Sequence, residues 1–222
     1  MQNIYCISGL GADEKVFSYL QLPGYNIVFL PWLVPNKNDT IEGYAKKMLA
    51  SIHEPNPILM GLSFGGMMCV EIAKLMPVKH IIIISSIKTN IELPLWMKVC
   101  GILKLNKIIP VKQYKLLQPL QNKRLGVTNS QEKKLANYYR SIINQQYLQW
   151  AVQQILNWQN KIIPTSITHI HGDKDKMFPI KNMQVNIEIK NGGHFMIMNK
   201  ANEVSKAIVN ALNKYSNKLL SQ

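Results

Sequence analysis

Arginine is almost missing from this chain. Of 26 basic residues only Arg124 and Arg140 are arginines, and the remainder are lysines. Set against 12 acids, this leaves a formal charge of +14. Proteins that read nucleic acid lean on arginine for bidentate contacts to bases and phosphates. No zinc-finger or RNP-type motif accompanies the lysines either, so no nucleic-acid partner is expected. Cysteine is equally scarce. Cys6, Cys69 and Cys100 are odd in number, widely spaced and without a CxxC. That argues against a disulfide or zinc framework and suits a reducing cytoplasm. Long apolar runs are absent too, since none approaches the roughly 20 residues of a membrane-spanning helix. The N-terminal "MQNIYCISGLG" enters a strand pattern at once, without the basic, apolar and cleavage regions of a signal peptide. The expectation is a cytoplasmic protein with no transmembrane segment.

Several motifs are missing as well. No G-x-x-x-x-G-K-[ST] occurs, which excludes a P-loop. Gly9-Leu10-Gly11 lacks the third glycine of a dinucleotide fingerprint, and "FLPW" stands where the ribose-binding acid would follow the second strand. No cofactor and no metal site is expected.

What remains is a 222-residue chain that is 47 % hydrophobic, enough for a single domain with a sizeable core. Six apolar runs punctuate it: "IYCIS" (4–8), "NIVFLPW" (26–32), "PILMGLS" (57–63), "HIIIISS" (80–86), "SITHIHG" (166–172) and "QVNIEIK" (184–190). Most are rich in β-branched residues, and several are continuously apolar, as strands buried on both faces of a parallel sheet require. Helical patterns lie between them at about 12–21, 40–53 and 64–76, where Pro77 ends the third, and again at 201–214. Alternation of this kind predicts an α/β fold with right-handed crossovers.

The alternation stops after Ser86. Residues 88–160 hold no convincing strand and read as helices joined by loops near Pro94, Pro110 and "LGVTNS". This stretch carries eleven basic residues and two acids, a net +9. The expected layout is a sheet core of residues 1–87 and 161–222, interrupted by a helical cap over 88–160. Trp150 and Trp158, eight apart, are expected on one helix that packs the cap onto the core.

Gly61, Ser63 and Gly65 form G-x-S-x-G where "PILMGL" hands over to "FGGMMCVEIAKLM". A sharp strand-to-helix turn there puts the serine at its tip, and small residues two places either side let the turn close. The hydroxyl then sits at a helix N-terminus, where the dipole favours developing negative charge. A nucleophilic serine needs a base and a group that orients it. His53 and His80 read as structural or surface residues. His169 and His171 share one face of a strand and read as packed side chains. His194 follows "NGG" after the last strand, in a loop at the same sheet edge as Ser63. Asp173 and Asp175, in "HGDKD", both stand at a strand end on that edge.

Four landmarks in order, "SGLGAD" (8–13), "GLSFGG" (61–66), "HGDKD" (171–175) and "GGHF" (192–195), resemble the α/β-hydrolase superfamily over nearly the whole chain. The likeness is to serine esterases, including small carboxylesterases and pimeloyl-carrier-protein methyl ester esterases. It implies a trimmed sheet of about six mainly parallel strands, lacking an initial hairpin. It implies Ser63 as nucleophile and His194 as base. The superfamily's G-x-x-D pattern maps onto Gly172 to Asp175, which selects Asp175 over Asp173 as orienter. The backbone N–H groups of Leu10 and Phe64 would form the oxyanion hole, with Ser8 replacing a histidine common in relatives. Dehalogenases and epoxide hydrolases of this fold carry aspartate at the nucleophile position, and Ser63 argues against both. The implied reaction is ester hydrolysis through an acyl-enzyme. The substrate would be a small ester with an apolar acyl group, bound by Trp96, Met97, Phe178 and Phe195. An acidic acyl carrier protein at the basic cap, near Lys98, Lys104, Lys107, Lys112 and Lys115, is the alternative partner. A ligand receptor on a hydrolase fold is the alternative of another class.

Overall fold

The computed structural model describes residues 1–104 and 118–220. Lys107, Lys112 and Lys115, named above for the basic cap, lie outside the described residues.

All six expected strands are present. They are β1 (Gln2–Ile7), β2 (Tyr25–Phe29), β3 (Ile58–Leu62), β4 (His80–Ile84), β5 (Ile167–Gly172) and β6 (Ile187–Ile189). They form one sheet in the order β2-β1-β3-β4-β5-β6. Every neighbouring pair is parallel, so the sheet is wholly rather than mainly so. The expected second strand stops at Phe29, short of Pro31, which lacks the N–H a ladder needs.

Period-2 alternation divides the core between the two faces. Tyr5, Ile7, Leu59, Ile81 and Ile83 point to one face, where they meet α1 (Ile41–Met48) and α2 (Phe64–Ile72). Ile4, Cys6, Met60, Ile82, Ile84 and Ile170 point to the other, against Val204, Ile208 and Leu212 of the long C-terminal helix Ala201–Leu220. Both faces are covered, which is why β3 and β4 are buried along their whole length.

Three helix expectations need correction. The pattern at 12–21 yields only a 3-10 turn, Glu14–Phe17. The hydroxyl of Ser18 donates back to the Lys15 carbonyl, a local bond that competes with helix propagation. α2 ends at Ile72, before Pro77, because the chain tightens into a turn in which Lys74 and Leu75 N–H groups reach back three residues. The last helix runs six residues further than its apolar pattern.

Between β4 and β5 the described residues form helices and no strand: α3 (Leu95–Ile102), α4 (Gln118–Leu125), α5 (Ser130–Ile142) and α6 (Gln145–Leu156). Asn129 and Asn144 cap the last two through their side chains. Trp150 and Trp158 are both buried. Trp158, however, lies past the end of α6 rather than on it. Its indole N–H donates to the Glu71 carboxylate of α2 at 2.7 Å, while the Trp150 indole donates to the Asp39 carbonyl.

Strand order reverses between β1 and β3. Parallel sheets open a crevice at such a point, beyond the carboxyl ends of the strands. The "SGLG" turn after β1 and the serine after β3 both open onto this crevice.

Candidate active site

Ser63 sits between β3 and α2 with φ 52° and ψ −118°. A β-carbon is strained at that angle, so the surroundings must hold it. They do so with three hydrogen bonds. The Ser63 N–H donates to the Ile84 carbonyl at 2.9 Å. The Ser63 carbonyl accepts from the Gly66 N–H at 3.0 Å and the Ser86 hydroxyl at 2.6 Å. Close packing explains the flanking glycines. A Cβ on Gly61 would overlap the backbone of Gly65 and Gly66, and one on Gly65 would overlap the Ile7 and Ser8 carbonyls.

The loop after β6 brings His194 to this turn. Its Nε2 lies 2.9 Å from Ser63 Oγ, and its Nδ1 lies 2.7 Å from Asp175 Oδ2. The other Asp175 oxygen accepts from the Met177 and Phe178 N–H groups at 2.7 and 2.9 Å. Burial alone would raise the Asp175 carboxyl. The charge and hydrogen bond of His194, then His171, then the Phe178 N–H outweigh it and hold the group below the usual carboxylate range. An ionised Asp175 accepts only, so His194 carries its proton on Nδ1 and presents a lone pair to the serine hydroxyl. The Phe178 ring stands edge-on to the imidazole with centroids 5.5 Å apart. Asp173, the other candidate, pairs with Lys174 at 3.8 Å and makes no bond to His194 among the described residues.

Gly9 packs close enough to Ser63 that a Cβ there would stand 3.5 Å from the serine's own. This brings the Leu10 turn alongside the hydroxyl. Phe64 is the first residue of α2, so its N–H has no carbonyl one turn back to bond. Its side chain turns inward and stacks on Trp32 at 5.0 Å. Ser8 accepts from the Trp32 indole N–H and donates to the Ala12 carbonyl, which braces the turn.

Above Ser63 and His194 lies a cavity of about 550 Å³. Leu10, Trp96, Met97, Phe178 and Phe195 all line it, together with Tyr139 and Arg140 of α5, Leu148 and Val152 of α6, and Ile143 between the two helices. Trp96 is 42 % exposed, and the Arg124 guanidinium lies 4.7 Å from its ring centre. The walls from α5 and α6 were not legible as site residues, because their spacing is that of any amphipathic helix. Of the remaining histidines, His80 is buried between Ser166 and Thr168, and burial lowers it to about 4. Among the described residues no three His, Cys, Asp or Glu side chains are grouped so as to hold a metal ion.

No protein-family model matches the sequence, and no curated protein does. Solved structures do match. An esterase from Thermogutta terrifontis superposes with a TM-score of 0.74 at 14 % identity, covering 97 % of this chain and 90 % of that one. This is an α/β-hydrolase fold. A bromoperoxidase from Bacillus anthracis (TM-score 0.69, 15 % identity, 96 % and 92 % covered) and an epoxide hydrolase from Bacillus megaterium (0.66, 13 %, 96 % and 94 %) share the α/β-hydrolase architecture. One fold thus carries several chemistries, and the site must distinguish them.

Proposed function

We propose that this protein is a serine hydrolase that cleaves carboxylic esters through an acyl-enzyme. The observation that carries the reading is the unbroken line Ser63 Oγ, His194, Asp175, with 2.9 and 2.7 Å between partners, beneath an apolar cavity. Serine at the nucleophile position favours this chemistry over that of the epoxide hydrolases.

The steps follow from the tautomer. Ser63 Oγ attacks the ester carbonyl as its proton passes to His194 Nε2. Asp175 stabilises the resulting imidazolium and keeps the ring in place. The N–H groups of Leu10 and Phe64 hold the tetrahedral oxyanion, each worth about 3 kcal/mol in such sites. Collapse expels the alcohol, which takes the proton from Nε2. Water then attacks the acyl-enzyme with His194 as base, releasing the acid and restoring Ser63. Residues 88–160 act as the cap, 1–87 and 161–222 as the core. Trp96, Met97, Phe178 and Phe195 contact the acyl chain, and the cavity volume suits a small ester.

Labelling with an organophosphonate tests this reading. The adduct is expected on Ser63, absent from Ser63→Ala and much slower in His194→Ala. An adduct mapping to Ser85 or Ser86 would overturn it.

A second reading, an acyl group presented by an acidic carrier protein, is favoured by one observation. Both arginines border the cavity, Arg140 on its wall and Arg124 against Trp96, and no acid occurs in sequence between Glu92 and Glu132. Salt screens such attraction over about 10 Å at 0.1 M. Hydrolysis of a carrier-bound ester should then fall steeply with ionic strength while that of a short neutral ester stays level. An equal response of both refutes the carrier.

A further inference from the structure

Beside Asp175 runs a buried line of polar groups that ester hydrolysis as described does not use. His169 and His171 lie on one face of β5, both wholly buried. His169 Nε2 is 3.0 Å from His171 Nδ1. His171 Nε2 is 2.8 Å from the Phe178 carbonyl and 3.4 Å from Asp175 Oδ2. At the far end Lys88 Nζ is 3.4 Å from His169 Nδ1 and 3.3 Å from Glu92, and it also donates to the Gln184 carbonyl.

The protons in this line have one consistent arrangement. A charged lysine has three N–H donors and no acceptor, and three acceptors surround it. His169 Nδ1 therefore accepts, which puts its proton on Nε2. That proton points at His171 Nδ1, which accepts in turn and places the His171 proton on Nε2. Reading from the other end gives the same answer, because the Phe178 carbonyl can only accept. The opposite tautomer would set a lone pair of His171 against that carbonyl and against the carboxylate. Both rings are neutral. Burial lowers each below the ordinary imidazole value, and the neighbouring Lys88 charge acts in the same direction, while the Ser86 backbone opposes it at His169 and Asp175 and the Phe178 carbonyl oppose it at His171.

We propose that His171 is a positioning residue for Asp175, held as a donor by the line Lys88–His169–His171. The inference rests on the reading of Ser63, His194 and Asp175 as catalytic. The argument is one of cost. Buried polar groups are expensive unless every partner is met, and the neighbouring strand β4 sets an isoleucine, Ile83, opposite His169. An apolar pair at 169 and 171 would pack there without a buried ammonium to satisfy. What it would lose is a fixed N–H beside the carboxylate oxygen that holds His194. That oxygen is faced by His194 and His171, and its twin by the Met177 and Phe178 N–H groups. Asp173 and Lys174, on the same turn, pair with each other. The His171 donor thus offsets part of the carboxylate charge felt by His194. Without it the imidazolium is held more tightly, and the carboxylate loses one of its restraints.

The test compares kcat/KM against pH for wild type, His171→Leu and His171→Gln, with a neutral chromogenic ester. His171→Leu should lower kcat about tenfold with little change in KM and move the acid limb about half a unit to higher pH. His171→Gln keeps an N–H near the same place and should return the limb towards wild type. A limb unmoved by His171→Leu overturns the proposal, as does a limb that His171→Gln displaces equally. If H171L does not fold, His171→Phe, closer in volume to the imidazole and equally without a donor, should shift the limb in the same direction; an unmoved limb overturns the proposal equally. In the wild-type protein, two-bond ¹H–¹⁵N spectra should report Nε2–H tautomers for His169 and His171 and Nδ1–H for His194. An Nδ1–H tautomer or an imidazolium at His171 overturns it. Ser63→Ala, run alongside, separates the two readings: if that variant keeps its activity, the catalytic assignment itself is wrong.

Discussion

Replacing Asp175 by asparagine keeps the shape of the side chain but removes its charge and turns one acceptor oxygen into an NH₂ donor. The two N–H groups of Met177 and Phe178 bind Oδ1, so the asparagine carbonyl oxygen takes that place. Its NH₂ then stands where Oδ2 was, 2.7 Å from His194 Nδ1 and 3.4 Å from His171 Nε2. Two donors would face each other at His194 unless the imidazole shifts its proton to Nε2. In that tautomer Nε2 points an N–H at Ser63 Oγ and accepts nothing. The general base is lost with the geometry intact, which in Ser-His-Asp enzymes costs about 10⁴-fold in kcat. At 1.36 kcal/mol per tenfold this is about 5.4 kcal/mol of transition-state stabilisation. The assay is kcat on a chromogenic ester, with a urea midpoint as the control for folding. Asp173→Asn, whose carboxylate meets only a surface lysine, should stay within about threefold of wild type. An Asp175→Asn enzyme within tenfold of wild type, or one more active than Asp173→Asn, would refute the tautomer argument.

Gly65→Ala should destabilise by about 3 kcal/mol or more, because the new methyl meets backbone carbonyls that cannot step aside. Gly43→Ala, on the exposed face of α1 with room for a methyl, should instead gain about 0.5–1 kcal/mol, and denaturant midpoints compare the two. Acid should weaken the fold well before the carboxylates titrate. His80 (lowered to about 4), His169 and His171 stay neutral when folded but take protons when unfolded below about pH 6.5. The unfolded state then binds more protons, so stability falls as pH drops, by about 1.4 kcal/mol per unit for each histidine. His80 ceases to contribute below about pH 4. Equal urea midpoints at pH 7 and pH 5 would refute this.

The strands were legible because a sheet covered on both faces leaves each of them as an apolar run, and β4, "HIIII", can scarcely be anything else. Ser63, Asp175 and His194 were legible because strand ends on one edge converge, and glycines mark where the chain must turn tightly. Propensity misled at 12–21, where a serine hydroxyl took the backbone's bond. It misled again at Trp158, whose spacing from Trp150 fits a helix that Asn157 has already ended. The cavity walls were hidden because an apolar stripe on α5 or α6 looks the same whether it meets a core or a substrate. The pair His169 and His171 was visible as two rings on one strand face. That they point along β5 towards Asp175 depends on Lys88 and Phe178, which only the folded chain brings near.

The two ends of the segment between β4 and β5 are tied together. The Asn90 N–H donates to the Asn160 carbonyl at 2.8 Å, and the Asn160 side chain donates to the Lys88 carbonyl at 2.7 Å. A chain that leaves and re-enters the sheet through so narrow a neck places little demand on what lies beyond it. A short turn could bridge residues 90 and 160 with modest cost in closure entropy, since that cost grows only with the logarithm of length. The helices over the serine are in this sense an exchangeable module. Natural or laboratory variation there can remake the walls of the cavity while the sheet edge that brings Ser63, Asp175 and His194 together stays as it is.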